Sequence, residues 1–113
     1  MTTKKNLVIP IFDYKLTIII FDDWNELTPY IGEELAREPG KGISIDSTKG
    51  SGLMAVCSLY PSTITHESIH ITNYVWKHIS YMPQRDNDEV TAYLATYIYR
   101  KAMDVFKKHV KEA

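Results

Sequence analysis

Two short runs of branched and aromatic residues near the N-terminus most constrain what this 113-residue chain can fold into. The runs are LVIPIF and KLTIIIF, and only Asp13 and Tyr14 separate them. These residue types favour strands, and a connection this short joins antiparallel neighbours. Pro10 cannot donate to a strand ladder, which predicts an edge position or a bulge in the first strand. Two more strand-like segments, GISIDS and GLMAVCSLY, flank the turn-rich STKGSG, so the sequence predicts a small, mostly antiparallel sheet of about four strands.

The rest of the chain shows helical periodicity. In residues 23–38 apolar side chains recur at three- and four-residue spacings, although Pro29 and Gly32 interrupt the pattern. A proline and a serine just before residue 63 mark the start of a second helix, which is expected to end near Ser80. A third helical pattern, at residues 87–110, is the clearest in the chain. These strands and helices together predict an α+β fold in which a mostly antiparallel sheet packs against the helices.

The composition bears on partners and compartment. Thirteen basic and fourteen acidic residues give a formal charge of -1, which offers nucleic acid and anionic lipid no bulk attraction. The apolar run Ile18–Phe21, like every other in the chain, is far short of the about 20 residues that span a bilayer. The N-terminal segment lacks a signal-peptide pattern, and the only cysteine, Cys57, lies in an apolar run typical of a buried thiol. We therefore expect a single cytoplasmic domain, residues 1–113, without nucleic-acid or membrane partners.

One short stretch carries chemistry. In THESIHIT, residues His66, Glu67 and His70 form the pattern H-E-x-x-H. On a helix, residues four apart lie on one side, so both imidazoles can bind a single metal ion. Glu67 lies about 100 degrees around the helix from His66. Its carboxylate can therefore reach a water molecule on the metal, rather than the metal, and act as a general base.

A catalytic zinc ion commonly has three protein ligands, so a third must come from elsewhere in the chain. Trp76 stands where the longer metzincin motif has its last histidine, which excludes that arrangement. The motif, a short connection and the segment DNDEVTAYLATYIYRK resemble the minimal gluzincin metallopeptidases that phages and other mobile elements encode. The resemblance covers residues 52–106.

This resemblance implies a zincin-like fold and a peptide or protein substrate. It also implies a Zn²⁺ ion held by His66, His70 and Glu89, with Glu67 as the general base. In zincins the strand before the motif helix lies near the sheet edge that pairs with the substrate, so that edge is expected at residues 52–59 or 42–47. Further side chains expected to form hydrogen bonds close to the ion are those of Tyr93 and Asn73.

Several alternatives stay open at this stage. Asp86 and Glu89 have the spacing of an N-terminal capping box, in which Glu89 only starts a helix. His78 and His109 lack partners at ligand spacing and are expected to be ordinary helix residues. The whole chain can also be a non-catalytic protein that keeps the zincin scaffold and binds a host or phage protein. Glu67 favours the peptidase, because a structural zinc site has no need of a general base.

Overall fold

The computed structural model describes residues 1–36, 40–86 and 88–113. A 3₁₀ turn at Trp24–Leu27 precedes the first of two short helices, and two long helices follow the last strand. In chain order the elements are β1 (Thr2–Ile9), β2 (Tyr14–Phe21), α1 (Thr28–Ile31), α2 (Glu33–Ala36), β3 (Gly42–Asp46), β4 (Ser51–Cys57), α3 (Thr63–His78) and α4 (Glu89–Glu112). The α+β fold with a long C-terminal helix is confirmed.

The sheet is mixed, with the strand order β1-β2-β4-β3. β1 pairs with β2 and β3 pairs with β4 in antiparallel fashion, but the central pair, β2 with β4, is parallel. The reason is a crossover: after β2 the chain passes through α1 and α2 to the far edge, and β4 then returns between β2 and β3. Of the two strands expected at the substrate edge, β3 is at the edge and β4 is interior.

Proline ends the first strand earlier than the sequence suggested. The predicted run LVIPIF includes Pro10, but β1 stops at Ile9. The chain then turns through Ile11 and Asp13, whose φ angles are 74° and 51°. Pro10 thus lies in the connection to β2 and needs no place in the ladder.

The helix predicted over residues 23–38 is divided into shorter pieces. A capping box between Asp23 and Glu26 starts the 3₁₀ turn, and α1 begins directly after it. Gly32 has a φ of 85° and separates α1 from α2. Such a positive φ interrupts helical hydrogen bonding and is easily adopted only by glycine. Residues 37 and 38 of this prediction lie outside the described residues.

Helices α3 and α4 cover one face of the sheet and enclose the larger part of the core. α3 contacts β3 and β4, whereas α4 contacts β1 and β2. A smaller cluster, which includes the buried Cys57, fills the other face beneath the short helices. The larger cluster, between the sheet and the two long helices, includes Ile18, Ile20, Met54, Val56, Ile64, Ile71, Leu94 and Ile98. No helix within the described residues has both the length and the apolar character needed to cross a membrane.

His109, which the sequence suggested to be an ordinary helix residue, lies in α4 but forms a buried link to the N-terminal part of the chain. It is 2 % exposed. Its Nε2 donates to Oδ1 of Asp22 over 2.8 Å, and its Nδ1 lies 2.9 Å from Oγ1 of Thr3. Ser58 donates to the same Asp22 oxygen over 2.6 Å. The C-terminal helix is thereby tied to β1 and to the ends of β2 and β4.

Asp22→Asn tests this network through its pH dependence. Hydrogen bonds from Ser58 and then His109 lower the pKa of Asp22 to about 2. A carboxylate with a lowered folded-state pKa stabilises the fold above its unfolded pKa of about 3.9 and loses that contribution as the pH falls through 2. We expect the variant to be about 1 kcal/mol less stable at pH 7, since the side chain is half exposed and partly screened.

Urea unfolding of both proteins at several pH values provides the measurement. The gap between their free energies of unfolding should close from pH 4 downwards. A constant gap over that range would contradict the assignment.

Candidate metal centre

Helix α3 presents the two histidines of the motif to solvent and directs the glutamate inward. His66 and His70 are exposed, whereas Glu67 is 5 % exposed. This difference follows from the 100° rotation per residue, because the neighbour of an outward-facing residue lies a quarter turn closer to the sheet. The motif therefore lies at the boundary between the helix and the outer strand β3.

The two imidazoles have a geometry that suits one metal ion. Nε2 of His66 lies 3.2 Å from Nε2 of His70, and the ring planes are inclined by 71°. Two nitrogens bound to one tetrahedral zinc ion at 2.0–2.1 Å lie about 3.3 Å apart. A carboxylate oxygen of Glu67 and one nitrogen from each histidine lie within 4.8 Å of one another. The pair and its neighbouring carboxylate thus fit the donor preferences of zinc.

Glu67 is held in place by the edge strand. Oγ of Ser44 donates to Oε1 of Glu67 over 2.7 Å. Gly42, two residues earlier on β3, has no space for a side chain, because a Cβ atom there would lie 2.8 Å from the carbonyl oxygen of Ala55, 2.9 Å from Cγ2 of Thr63 and 3.3 Å from Oε2 of Glu67. The hydrogen bond from Ser44 therefore restricts the orientation of the carboxylate at the edge of the sheet.

A cavity opens directly beside Glu67. It has a volume of about 430 Å³, and its walls carry a lysine and two hydroxyl groups in addition to the motif residues. A larger cavity of about 610 Å³ lies elsewhere, along β1, β2 and β4, and Lys15 is its only ionisable wall residue. The smaller cavity is therefore the one placed for chemistry. It is lined by Lys41, Gly42, Ser62, Thr63, His66 and Glu67.

Tyr74 completes the surroundings of the histidine pair, although it is not among the site residues predicted from the sequence. Its ring stacks against His70 with a centroid distance of 6.5 Å and an angle of 23°. Its hydroxyl donates to the carbonyl oxygen of Ser44 over 3.2 Å. Partial burial, followed by the charges of Asp46 and Glu67, raises the pKa of Tyr74. The available signal was its position four residues after His70, on the same side of the helix.

The structure does not bring Glu89, the predicted third ligand, to the histidine pair. Glu89 is exposed at the first position of α4. Nε1 of Trp76 donates to Oγ1 of Thr91 over 3.1 Å, so the first turn of α4 lies beside Trp76. Trp76 follows His70 by six residues, or about 9 Å along the helix axis. Within the described part of the chain, the cluster of possible metal ligands accordingly does not include Glu89.

The capping alternative for Glu89 is not formed either. A capping box would need Asp86 at the N-cap and Glu89 at the third helical position. In the structure Asp88 is the N-cap residue, its side chain makes no capping hydrogen bond, and Glu89 is the first residue of the helix. The position of Glu89 therefore has no explanation in local helix capping.

The two other predicted site residues lie on different surfaces. Asn73 is exposed on α3, two helical turns after His66 and on the same side. Tyr93 lies on α4 and is 74 % exposed. Asn73 is thus placed on the histidine side of α3, whereas Tyr93 projects into solvent from the neighbouring helix.

Comparisons of this chain with protein-family models, with curated proteins and with solved structures find no match.

Proposed function

We propose that this chain is a zinc-dependent peptidase of the gluzincin type in which Glu67 is the general base. The observation that carries the proposal is the buried Glu67 carboxylate within 4.8 Å of the nitrogens of two exposed histidines. Metal-assisted hydrolysis requires such a combination, in which imidazoles bind the ion and a separate carboxylate handles the proton. The adjoining cavity of about 430 Å³ gives a substrate access to the same carboxylate.

The chain's own residues divide the work of the reaction. His66 and His70 would hold the ion, with Glu89 as the proposed third ligand, and the ion would supply Lewis acidity and lower the pKa of a water molecule. Glu67 takes a proton as the water attacks the peptide carbonyl and passes that proton to the leaving amine. Ser44 fixes the Glu67 carboxylate on the side of the cavity through its 2.7 Å hydrogen bond.

The third ligand is tested by Glu89→Gln. Coordination by Glu89 requires its carboxylate to move towards the histidine pair when the metal binds. We then expect the substitution to weaken zinc affinity about 100-fold or more. Stability without metal should change little, because Glu89 is exposed and takes no part in a capping box.

Zinc titration and thermal unfolding of this variant provide both measurements. Glu112→Gln, at the other end of α4, is the matched control and should bind zinc like the wild type. Unchanged zinc affinity in Glu89→Gln would remove Glu89 from the site.

One observation favours a second candidate, a non-catalytic protein that keeps the metal site and binds a host or phage protein. As the described residues stand, they assemble two imidazoles and one carboxylate around a possible ion. If Glu67 itself completes the coordination, no carboxylate in that cluster is left to act as the base. The site would then be structural or would serve recognition.

Cleavage of a captured partner distinguishes the two functions. Protein carrying Glu67→Gln is used to capture binding partners from a cell lysate, and each partner is then incubated with zinc-loaded wild-type protein. A peptidase cleaves at least one partner, and a chelator stops the cleavage. Partners that bind both proteins equally and stay intact support the binding protein instead.

A further inference from the structure

The outer edge of β3 offers backbone groups to a further strand. In an antiparallel ladder, hydrogen-bonded pairs alternate with pairs whose backbone groups point away from each other. The amide of Ser47 donates to the carbonyl of Ser51 over 2.9 Å, and that of Cys57 donates to Lys41 over 2.9 Å. If hydrogen-bonded and non-hydrogen-bonded pairs are alternated inward from Lys41 or from Ser47, both counts assign the same residues of β3 to each kind of pair. The strand residues whose backbone groups face away from β4 are Gly42, Ser44 and Asp46.

Tyr74 occupies the middle of this edge. Its hydroxyl donates to the carbonyl of Ser44, one of the groups that face away from β4. The same tyrosine stacks on His70, and Ser44 holds Glu67 through its side chain. A single residue on the strand thus connects the open edge to both the glutamate and one histidine of the motif.

We propose that Tyr74 closes the β3 edge in the free protein and that an extended peptide displaces its hydroxyl when it pairs with β3. The proposal rests on the function proposed above and adds a control of substrate entry to it. A strand that pairs with β3 needs the Ser44 carbonyl as an acceptor at the centre of the three outward-facing residues. The hydroxyl of Tyr74 already donates to that oxygen, so an incoming backbone amide competes with it for the same outward-facing acceptor.

The occupant is an extended polypeptide because the edge presents main-chain groups and a polar cavity beside them. Gly42 at one end of the edge lines the cavity next to Glu67. A strand on β3 therefore passes along the motif, and its scissile bond can lie at the cavity.

Tyr74→Phe tests the proposal, because it retains the ring and removes only the hydroxyl. Zinc-loaded wild type and variant are titrated with two probes, acetohydroxamate and N-acetyl-trialanine hydroxamate. The first engages the metal alone, whereas the second adds an extended backbone with small side chains. We expect the variant to bind the tripeptide probe about two- to tenfold more tightly, since the competing hydrogen bond is lost. Its affinity for acetohydroxamate should equal that of the wild type.

Two controls isolate the backbone pairing. A tripeptide probe methylated at its backbone nitrogens cannot donate to Ser44 and should show no gain in Tyr74→Phe. Tyr99→Phe removes a hydroxyl from the surface of α4 and should bind all probes like the wild type. Equal tripeptide affinity in Tyr74→Phe and wild type, or an equal gain for the methylated probe, would show that Tyr74 does not close the β3 edge. The proposed zinc site would be unaffected by that result. Absence of zinc and acetohydroxamate binding in the wild type would overturn the peptidase, and this inference with it.

Discussion

Replacing Glu67 by Gln should lower peptide-bond turnover by about 10² to 10⁴ while zinc binding stays near the wild-type level. The glutamine cannot accept the proton of the attacking water, but His66 and His70 remain to hold the ion. The fold should be preserved, because the glutamine carbonyl can still accept the hydrogen bond from Ser44. Turnover of a captured partner, zinc titration and thermal unfolding are measured on the same preparation.

This experiment also separates a base from a ligand. Because Glu67 lies in the same cluster as both histidines, it can be a ligand in principle. A ligand role predicts that Glu67→Gln loses zinc affinity together with activity. Retained zinc with lost turnover supports the base, whereas retained turnover in the variant would eliminate Glu67 from the mechanism altogether.

The second large effect concerns the histidines. His66→Ala or His70→Ala should each abolish stoichiometric zinc binding, because a single imidazole cannot reproduce the paired donors whose nitrogens lie 3.2 Å apart. Since both side chains are exposed, the zinc-free variants should unfold near the wild-type temperature. The wild type should gain thermal stability when zinc is added, whereas these two variants should not, because a ligand stabilises the state that binds it.

His78→Ala is the matched control for these variants. His78 lies on the same helix, but its ring packs at the edge of Tyr14, 5.7 Å between centroids, and it is not part of the ligand cluster. It should therefore bind zinc like the wild type. If His66→Ala and His70→Ala retain one equivalent of zinc, the metal site proposed here is refuted.

The sequence by itself determined the features that depend on neighbours within one or two helical turns. The paired histidines follow from four-residue spacing on a helix, and the structure confirms that their nitrogens come together. The start signal at Pro61 and Ser62 likewise indicated α3, the apolar repeat indicated α4, and the β-branched runs indicated the strands. In each case the backbone geometry of a single element fixes the outcome. Pro10 ended β1 early, and Gly32 divided the helix predicted over residues 23–38.

Only the tertiary structure decided which distant residues meet. The parallel pairing of β2 with β4 depends on how the crossover through α1 and α2 packs, and this is a property of the whole core. The same packing sets Ser44 against Glu67 and buries His109 beside Asp22. It also places the start of α4 beside Trp76, away from the histidine pair. Such contacts join segments far apart in the chain, so they follow from the total free energy of packing and not from any local pattern.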